Sequence, residues 1–205
     1  MNGASGFKLI CTVGPASRDR AILRQMEELG ASLFRINLSH TPLEDLEPFI
    51  REVRAATEVP ICLDTEGAQI RTAQMPGGRI GFHVGQSVDL LPREMPGIPG
   101  VVLYPPEACS LLEPGMVLRV DFGTCTLVVD ERTEEGWRAR VIAGGVVESN
   151  KGVAAERELP LAPMTSKDRQ AILLAQQLGI RFYSYSFCAD GASVRLLRGL
   201  VGKDA

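Results

Sequence analysis

The sequence predicts an α/β fold interrupted by a small all-β domain, and three observations predict it. Over the first third of the chain, short strands apolar on both faces alternate with amphipathic helical segments, the signature of a parallel sheet with right-handed crossovers. From about Gly77 to Pro163 the chain is dense in Gly, Pro and Val, with short alternating runs separated by turn signals. After Pro163, helix and strand return.

Lys8 to Val13 is an apolar run stopped by Gly14-Pro15, and Ser17 to Asp19 supplies helix-start residues. Ile22, Leu23, Met26 and Leu29 recur at helical spacing until Gly30. A second strand, Leu33 to Leu38, leads into an amphipathic helix over Leu43 to Ala56, with Leu43, Leu46, Ile50 and Val53 inward. A third strand, Val59 to Leu63, runs into Asp64-Thr65. The β runs include Val84 to Leu91, Val101 to Tyr104, Met116 to Val120, Thr124 to Val129 and Trp137 to Ile142. Turn pairs such as Pro114-Gly115 and Glu135-Gly136 punctuate them, as in a small barrel or sandwich. Thr165-Ser166-Lys167-Asp168 has the form of a capping box with Asp in the acid position. It opens a helix faced by Ala171, Leu174 and Leu178. Arg181 to Phe187 is a fourth strand and Ala192 to Val201 a fourth helix. The expected domains are 1–73 with 163–205, and 74–162 between them.

Composition narrows the function. Hydrophobic residues at 45% and charged residues at 23% suit a soluble globular protein, and a net charge of −3 offers no footprint for nucleic acid or an anionic membrane. No apolar run approaches a membrane span, and Met1-Asn2-Gly3-Ala4-Ser5-Gly6 is too short and polar for a signal peptide, so a cytoplasmic location is expected. Cys11, Cys62, Cys109, Cys125 and Cys188 are far apart with no C-x-x-C pair, which suits reduced thiols packed as small hydrophobes. His83 and Trp137 read as a surface and a core residue.

The architecture is four β/α units with a β domain inserted after the third strand. Eight such strands close a barrel, and four leave bare edges and an unfilled interior. Either the missing half lies on another chain, or this is a piece of a longer protein, or the units form a smaller open fold. The second reading is favoured.

The most informative stretch is Phe34-Arg35-Ile36-Asn37-Leu38-Ser39-His40, where a strand hands over to a loop. Arg35 offers a planar fork suited to carboxylate or phosphate. Asn37 and Ser39 offer neutral oxygens, and alternation puts all three on one side of an extended backbone. A polar strand end without function would also fit.

The residues now carry a family resemblance. Lys8-Leu9-Ile10-Cys11-Thr12-Val13-Gly14-Pro15-Ala16-Ser17 is similar to the opening strand and turn of pyruvate kinases. Phe34 to His40 resembles their R-x-N-x-S-H element, and Leu63 to Thr72 resembles their L-D-T-x-G-x-x-I-R-T element. Pro114-Gly115, Val120-Asp121 and Lys151-Gly152-Val153 resemble parts of the family's inserted β domain, and Ser186-Phe187 the end of its fourth barrel strand. The resemblance implies the first half of a (β/α)8 TIM barrel carrying an inserted small all-β barrel domain as a lid.

It also implies roles. Asn37, Ser39, Asp64 and Thr65 would hold a monovalent cation, usually K+; Arg35 and Arg71 would contact phosphate; Ser186 and Phe187 would sit beside the substrate; His40 would face the nucleotide and Lys151 its phosphates. The implied reaction is glycolytic, phosphoenolpyruvate plus ADP giving pyruvate and ATP, with Mg2+ or Mn2+ as divalent cofactor. Phosphoryl transfer is served by cations and positioned oxygens, which this inventory supplies. The family's catalytic lysine and divalent-metal acids come on strands five and six, so no catalytic residue is expected within this chain, and alone it is expected to be inactive. A homo-oligomer or association with the missing half-barrel follows.

Several positions depart from the family. Gln69 stands where an acid tied to potassium use is usual, and Glu66, where lysine is frequent, adds negative charge near the site. Asp121-Phe122-Gly123 replaces two aspartates before glycine, Ala154-Ala155-Glu156-Arg157 replaces asparagine and Leu-Pro-Gly, and Cys188-Ala189-Asp190 stands where basic residues are frequent. The sequence therefore supports three readings: part of a pyruvate kinase-like phosphotransferase, a non-catalytic pyruvate-kinase-like binding or assembly module that has lost the chemistry, or, less favoured, another enzyme of the phosphoenolpyruvate-handling barrel group.

Overall fold

The computed structural model describes residues 8–203. The segment Met1 to Gly6, read above as no signal peptide, lies outside the described residues. The chain divides into two compact units, one comprising residues up to 68 and from 163 onward, the other residues 69–162.

The first unit is a parallel sheet backed by helices. Its elements are β1 (Leu9–Thr12), α1 (Arg20–Glu28), β2 (Ala31–Asn37), α2 (Leu43–Ala56) and β3 (Ile61–Asp64). The inserted unit supplies β4 (Ile70–Thr72), β5 (Arg79–Phe82), β6 (Ser87–Leu91), β7 (Gly100–Tyr104), β8 (Val117–Val120), β9 (Cys125–Arg132), β10 (Trp137–Ala143), β11 (Gly145–Glu148) and β12 (Gly152–Ala155). The chain then returns to the first unit through α3 (Ser166–Gln177), β13 (Phe182–Ser184) and α4 (Gly191–Val201). The sheet of the first unit runs β1-β2-β3-β13, parallel throughout.

Period-two alternation decides what each strand presents. Phe34, Ile36 and Leu63 point to the helices and are buried with Leu23, Leu46, Ile50, Val53, Ala171 and Ala175. Their strand neighbours point the other way. Register aligns Thr12 with Arg35, Cys62 with Arg35, Asn37 with Asp64, and Ser184 with Asp64 on that second face. At the N-terminal end of the same face Ile10 is 56% exposed and Phe182 43%. Parallel sheets are normally covered on both faces, and each side chain left so open forgoes part of the ~1.5–3 kcal/mol its burial would contribute.

Local chemistry sets the helix starts. Asp19 caps α1 by accepting from the Ala21 and Ile22 amides. The capping box at α3 is complete: Thr165 Oγ1 accepts from Asp168 N at 3.0 Å and Asp168 Oδ2 accepts from Thr165 N at 3.1 Å. In α1 only Leu23 is buried, while Ile22 and the C-cap residue Leu29 are exposed.

In the inserted unit seven strands close a barrel in the order β10-β6-β7-β4-β12-β8-β9, with β5 and β11 paired beside them. Leu90, Leu103, Leu118, Leu127, Val129 and Ala139 fill it, and buried Trp137 donates from Nε1 to the Cys109 carbonyl at 2.8 Å. His83 is exposed. The expected strand over 84–91 is shorter, since residues 83–86 form a turn closed by His83 N to Gln86 Oε1 and leave Val84 exposed. The unit boundary falls at 68/69, ahead of the expected residue 73, because Ile70 and Arg71 pair with Val153 and Gly152 of the closed barrel.

No helix among the described residues is long and apolar enough to cross a membrane.

Candidate functional site

Three of the four parallel strands of the first unit end in polar residues that meet. Asp64, the last residue of β3, is 2% exposed. Arg35 Nη2 donates to its Oδ2, and Ser186 Oγ donates to its Oδ1 at 2.8 Å. Arg35 is steadied from the other side by Thr12 Oγ1, which accepts from Nη1 at 2.8 Å. Thr65, buried beside Asp64, receives Ser186 N on its Oγ1 at 3.2 Å and donates its own amide to Ser184 O at 3.0 Å. The side-chain oxygens of Asp64 and Thr65 thus each have a partner, as buried polar groups require.

The turn after β2 is built by its own side chains. Asn37 Oδ1 accepts from Ser39 N at 3.0 Å, and Asn37 O accepts from Thr41 Oγ1 at 3.0 Å, so residues 38–40 tighten into a 3-10 turn. Ser39 is buried and His40 exposed. His40, Asn37 and Thr12 line a cavity of about 430 Å³ whose apolar wall includes Pro15, Pro42 and Phe49. That volume is within the range of small-molecule pockets. Arg18 stacks over the Phe49 ring at 4.3 Å.

Gly67 is fixed by contact. Its φ is +68°, and a Cβ there would stand 1.9 Å from Ser186 O. Only glycine permits so close an approach. Ser186 and Phe187 do not extend the fourth strand as expected. β13 ends at Ser184, and Phe187 turns to φ +53° with its side chain 51% exposed. A bulky residue in the left-handed region costs about 1–3 kcal/mol and is held only by its surroundings, here the Ser186 bonds to Asp64 and Thr65.

Arg71 and Lys151 lie on the inserted unit. Arg71 Nη1 donates to Asn150 O at 3.1 Å, and Lys151 Nζ is 3.1 Å from Glu148 and 3.7 Å from Asp121. These carboxylates push the Lys151 ammonium pKa up. Phe122, fully exposed, occupies a left-handed turn beside Asp121.

From sequence, Glu66 is expected to add negative charge near the site, and Lys167 and Asp168 are named only as part of a capping box. Glu66 does not leave a bare charge: it is buried, with Lys167 Nζ at 2.9 Å and Thr165 Oγ1 at 3.0 Å. Asp168, fully buried, accepts from the amides of Glu66 and Gly67. The capping-box signal found Asp168 but not its reach across the fold.

The donor set Asn37, Ser39, Asp64 and Thr65 contains one carboxylate and otherwise neutral oxygens, which fits a weakly charged ion. No group of three or more His, Cys, Asp or Glu side chains that could hold a metal occurs among the described residues.

Residues 5–205 match the family model described as pyruvate kinase, barrel domain. The chain belongs to the pyruvate kinase family. It is 32% identical over 187 residues to a pyruvate kinase of Methylorubrum extorquens, covering 88% of this chain and 39% of that protein. To a pyruvate kinase of Geobacillus stearothermophilus it is 31% identical, covering 95% of this chain and 35% of the relative. A pyruvate kinase of Agrobacterium vitis is 29% identical, over 97% and 43% respectively. The chain therefore spans less than half the length of these pyruvate kinase relatives.

Proposed function

We propose that this chain forms the phosphate- and cation-binding corner of a pyruvate kinase-like phosphotransferase that converts phosphoenolpyruvate and ADP to pyruvate and ATP. The observation that carries the reading is the grip on Asp64 by Arg35 and Ser186 at the C-terminal ends of parallel strands, where β/α enzymes place their chemistry. The α/β unit is then half of a (β/α)8 barrel, and the open sheet face bearing Ile10 and Phe182 is the interior that further β/α units cover.

Arg35 spends two of its five N–H donors on Thr12 and Asp64 and is 30% exposed, so a positioned, permanently charged fork remains for a phosphate. Asp64 orients that fork. Asn37, Ser39, Asp64 and Thr65 are the residues that would hold K+, which when bound supplies positive charge beside the transferring group. Ser186 and Phe187 border the substrate, and the strain at Phe187 supports a role other than packing. His40 and its cavity suit a nucleotide, while Arg71 and Lys151 are proposed as phosphate contacts of the inserted unit. The residues that hold Mg2+ or Mn2+ and perform the transfer come from outside this chain, which by itself does not turn over. An assembly of subunits in the cytoplasm fits the same reading.

Pyruvate formation by the full-length protein, given phosphoenolpyruvate, ADP, Mg2+ and K+, tests this. Turnover that falls on Arg35→Met supports it. Binding of phosphoenolpyruvate without pyruvate formation would instead select the non-catalytic module.

A further inference from the structure

We propose that Lys167 and Asp168, in the first turn of α3, are positioning residues that clasp the turn after β2 to the loop after β3 and so set the geometry of the cation- and phosphate-binding corner. The inference rests on the proposed function for its ligand, and on side-chain geometry for the clasp itself.

A helix cap needs only local bonds, and Asp168 makes one of these to Thr165 N. It also makes two that capping does not require. Oδ1 accepts from Glu66 N at 2.7 Å and Oδ2 from Gly67 N at 3.0 Å. Both donors directly follow Asp64-Thr65, so one fully buried carboxylate ties the loop that carries the proposed cation ligands to the start of α3. Gly67, held this way, is the residue packed on the Ser186 carbonyl, and Ser186 in turn donates to Asp64.

Lys167 extends the clasp to the other loop. Its ammonium donates to Leu38 O at 2.6 Å and to Glu66 Oε1 at 2.9 Å. Leu38 begins the 3-10 turn that contains Ser39 and His40, and its carbonyl also receives Thr41 N at 3.3 Å. One cation therefore bridges the turn bearing Ser39 to the loop bearing Thr65. Glu66 completes the arrangement, with its second oxygen on Thr165 Oγ1 at 3.0 Å.

Burying two carboxylates and most of an ammonium is a costly way to join two loops when apolar packing would serve stability as well. What the ionic arrangement adds is direction. Backbone N–H groups and a carbonyl are held at fixed distances, which matters when oxygen ligands must converge on one ion.

The test uses the full-length protein and Lys167→Met, which keeps the apolar stem and removes the charge. Hydrogen–deuterium exchange should quicken at the amides of residues 38–41 and 66–67. The half-saturating K+ concentration should rise by about 10-fold to 100-fold, the usual effect of removing a group that orients metal ligands, while kcat at saturating K+ changes far less. Lys167→Arg, which retains donors for Leu38 and Glu66, should restore both. If Lys167→Met does not fold, Glu66→Gln carries the same exchange prediction. Unchanged exchange in both segments overturns the proposal. So does a loss that the arginine variant fails to regain while the unfolding midpoint falls, since that marks a residue of structure alone. If the wild-type protein forms no pyruvate, the proposed function fails, and the exchange measurement still decides the clasp.

Discussion

Arg35 and Asp64 stand on adjacent parallel strands, on the same sheet face, and Arg35 Nη2 donates to Asp64 Oδ2. Neither charge is placed there by the needs of the core, which occupies the opposite face. Asp64→Ala removes the acceptor of both Arg35 and Ser186. It is expected to cost about 1.5 kcal/mol, toward the low end for a charge-assisted bond because Arg35 is 30% exposed. It should also abolish activation of the full-length protein by K+. Denaturant titration and cation-dependence assays check the two effects separately, and unchanged cation response would remove Asp64 from the proposed site.

Gly67→Ala places a Cβ against the Ser186 carbonyl at a backbone conformation that disfavours side chains. A loss of about 1–3 kcal/mol is expected in chemical denaturation. Gly77→Ala shares the positive φ, yet nothing lies within 4 Å of its added Cβ, and it should cost less. Equal costs for the two variants would show that the contact with Ser186 contributes nothing.

Gln69 Oε1 is buried with no hydrogen-bond partner among the described residues. Gln69→Met keeps the volume and removes the unsatisfied acceptor, so the ligand-free protein should gain about 1 kcal/mol and about 2–4 °C in unfolding midpoint. A lower midpoint would mean that the amide is satisfied in solution.

Thiol labelling should follow burial. Cys188 is exposed, whereas Cys62, Cys109 and Cys125 are buried. Desolvation pushes the Cys109 thiol up to about 11, which keeps it protonated and unreactive at neutral pH. Native-state modification is expected first at Cys188, with Cys109 modified only on unfolding. Early labelling of Cys109 would contradict the closed barrel packing around it.

Asp190 caps α4 by accepting from Ser193 Oγ and Ser193 N, both at 2.7 Å, and these bonds hold its carboxyl below the usual value of 3.8. A lowered folded pKa means that the cap's contribution is complete above 3.8 and is lost as pH falls through the folded value. Wild type and Asp190→Ala should therefore differ in stability at neutral pH and converge in strong acid. A difference that persists there would assign the effect to something other than ionisation.

Much of this protein was legible in the sequence because the signals are local. Alternation of Phe34 and Ile36 with Arg35 and Asn37 determines which groups a strand turns toward helices and which away. The Thr165–Asp168 spacing determines a helix start, and glycine and valine density marks the inserted barrel. Family order places Arg35, Asn37, Ser39, Asp64, Thr65, Ser186 and Phe187 together in a list, though not in their bonding. Only the tertiary structure decided that Asp64 is shared between Arg35 and Ser186, that Phe187 leaves the strand for a strained turn, and that Glu66 is neutralised by Lys167. It also gave Asp168 two amides more than a hundred residues away in the chain. The physical reason is that periodicity and capping depend on neighbours a few positions apart. Hydrogen bonds between buried groups depend on distances that exist only after the sheet has aligned its strands.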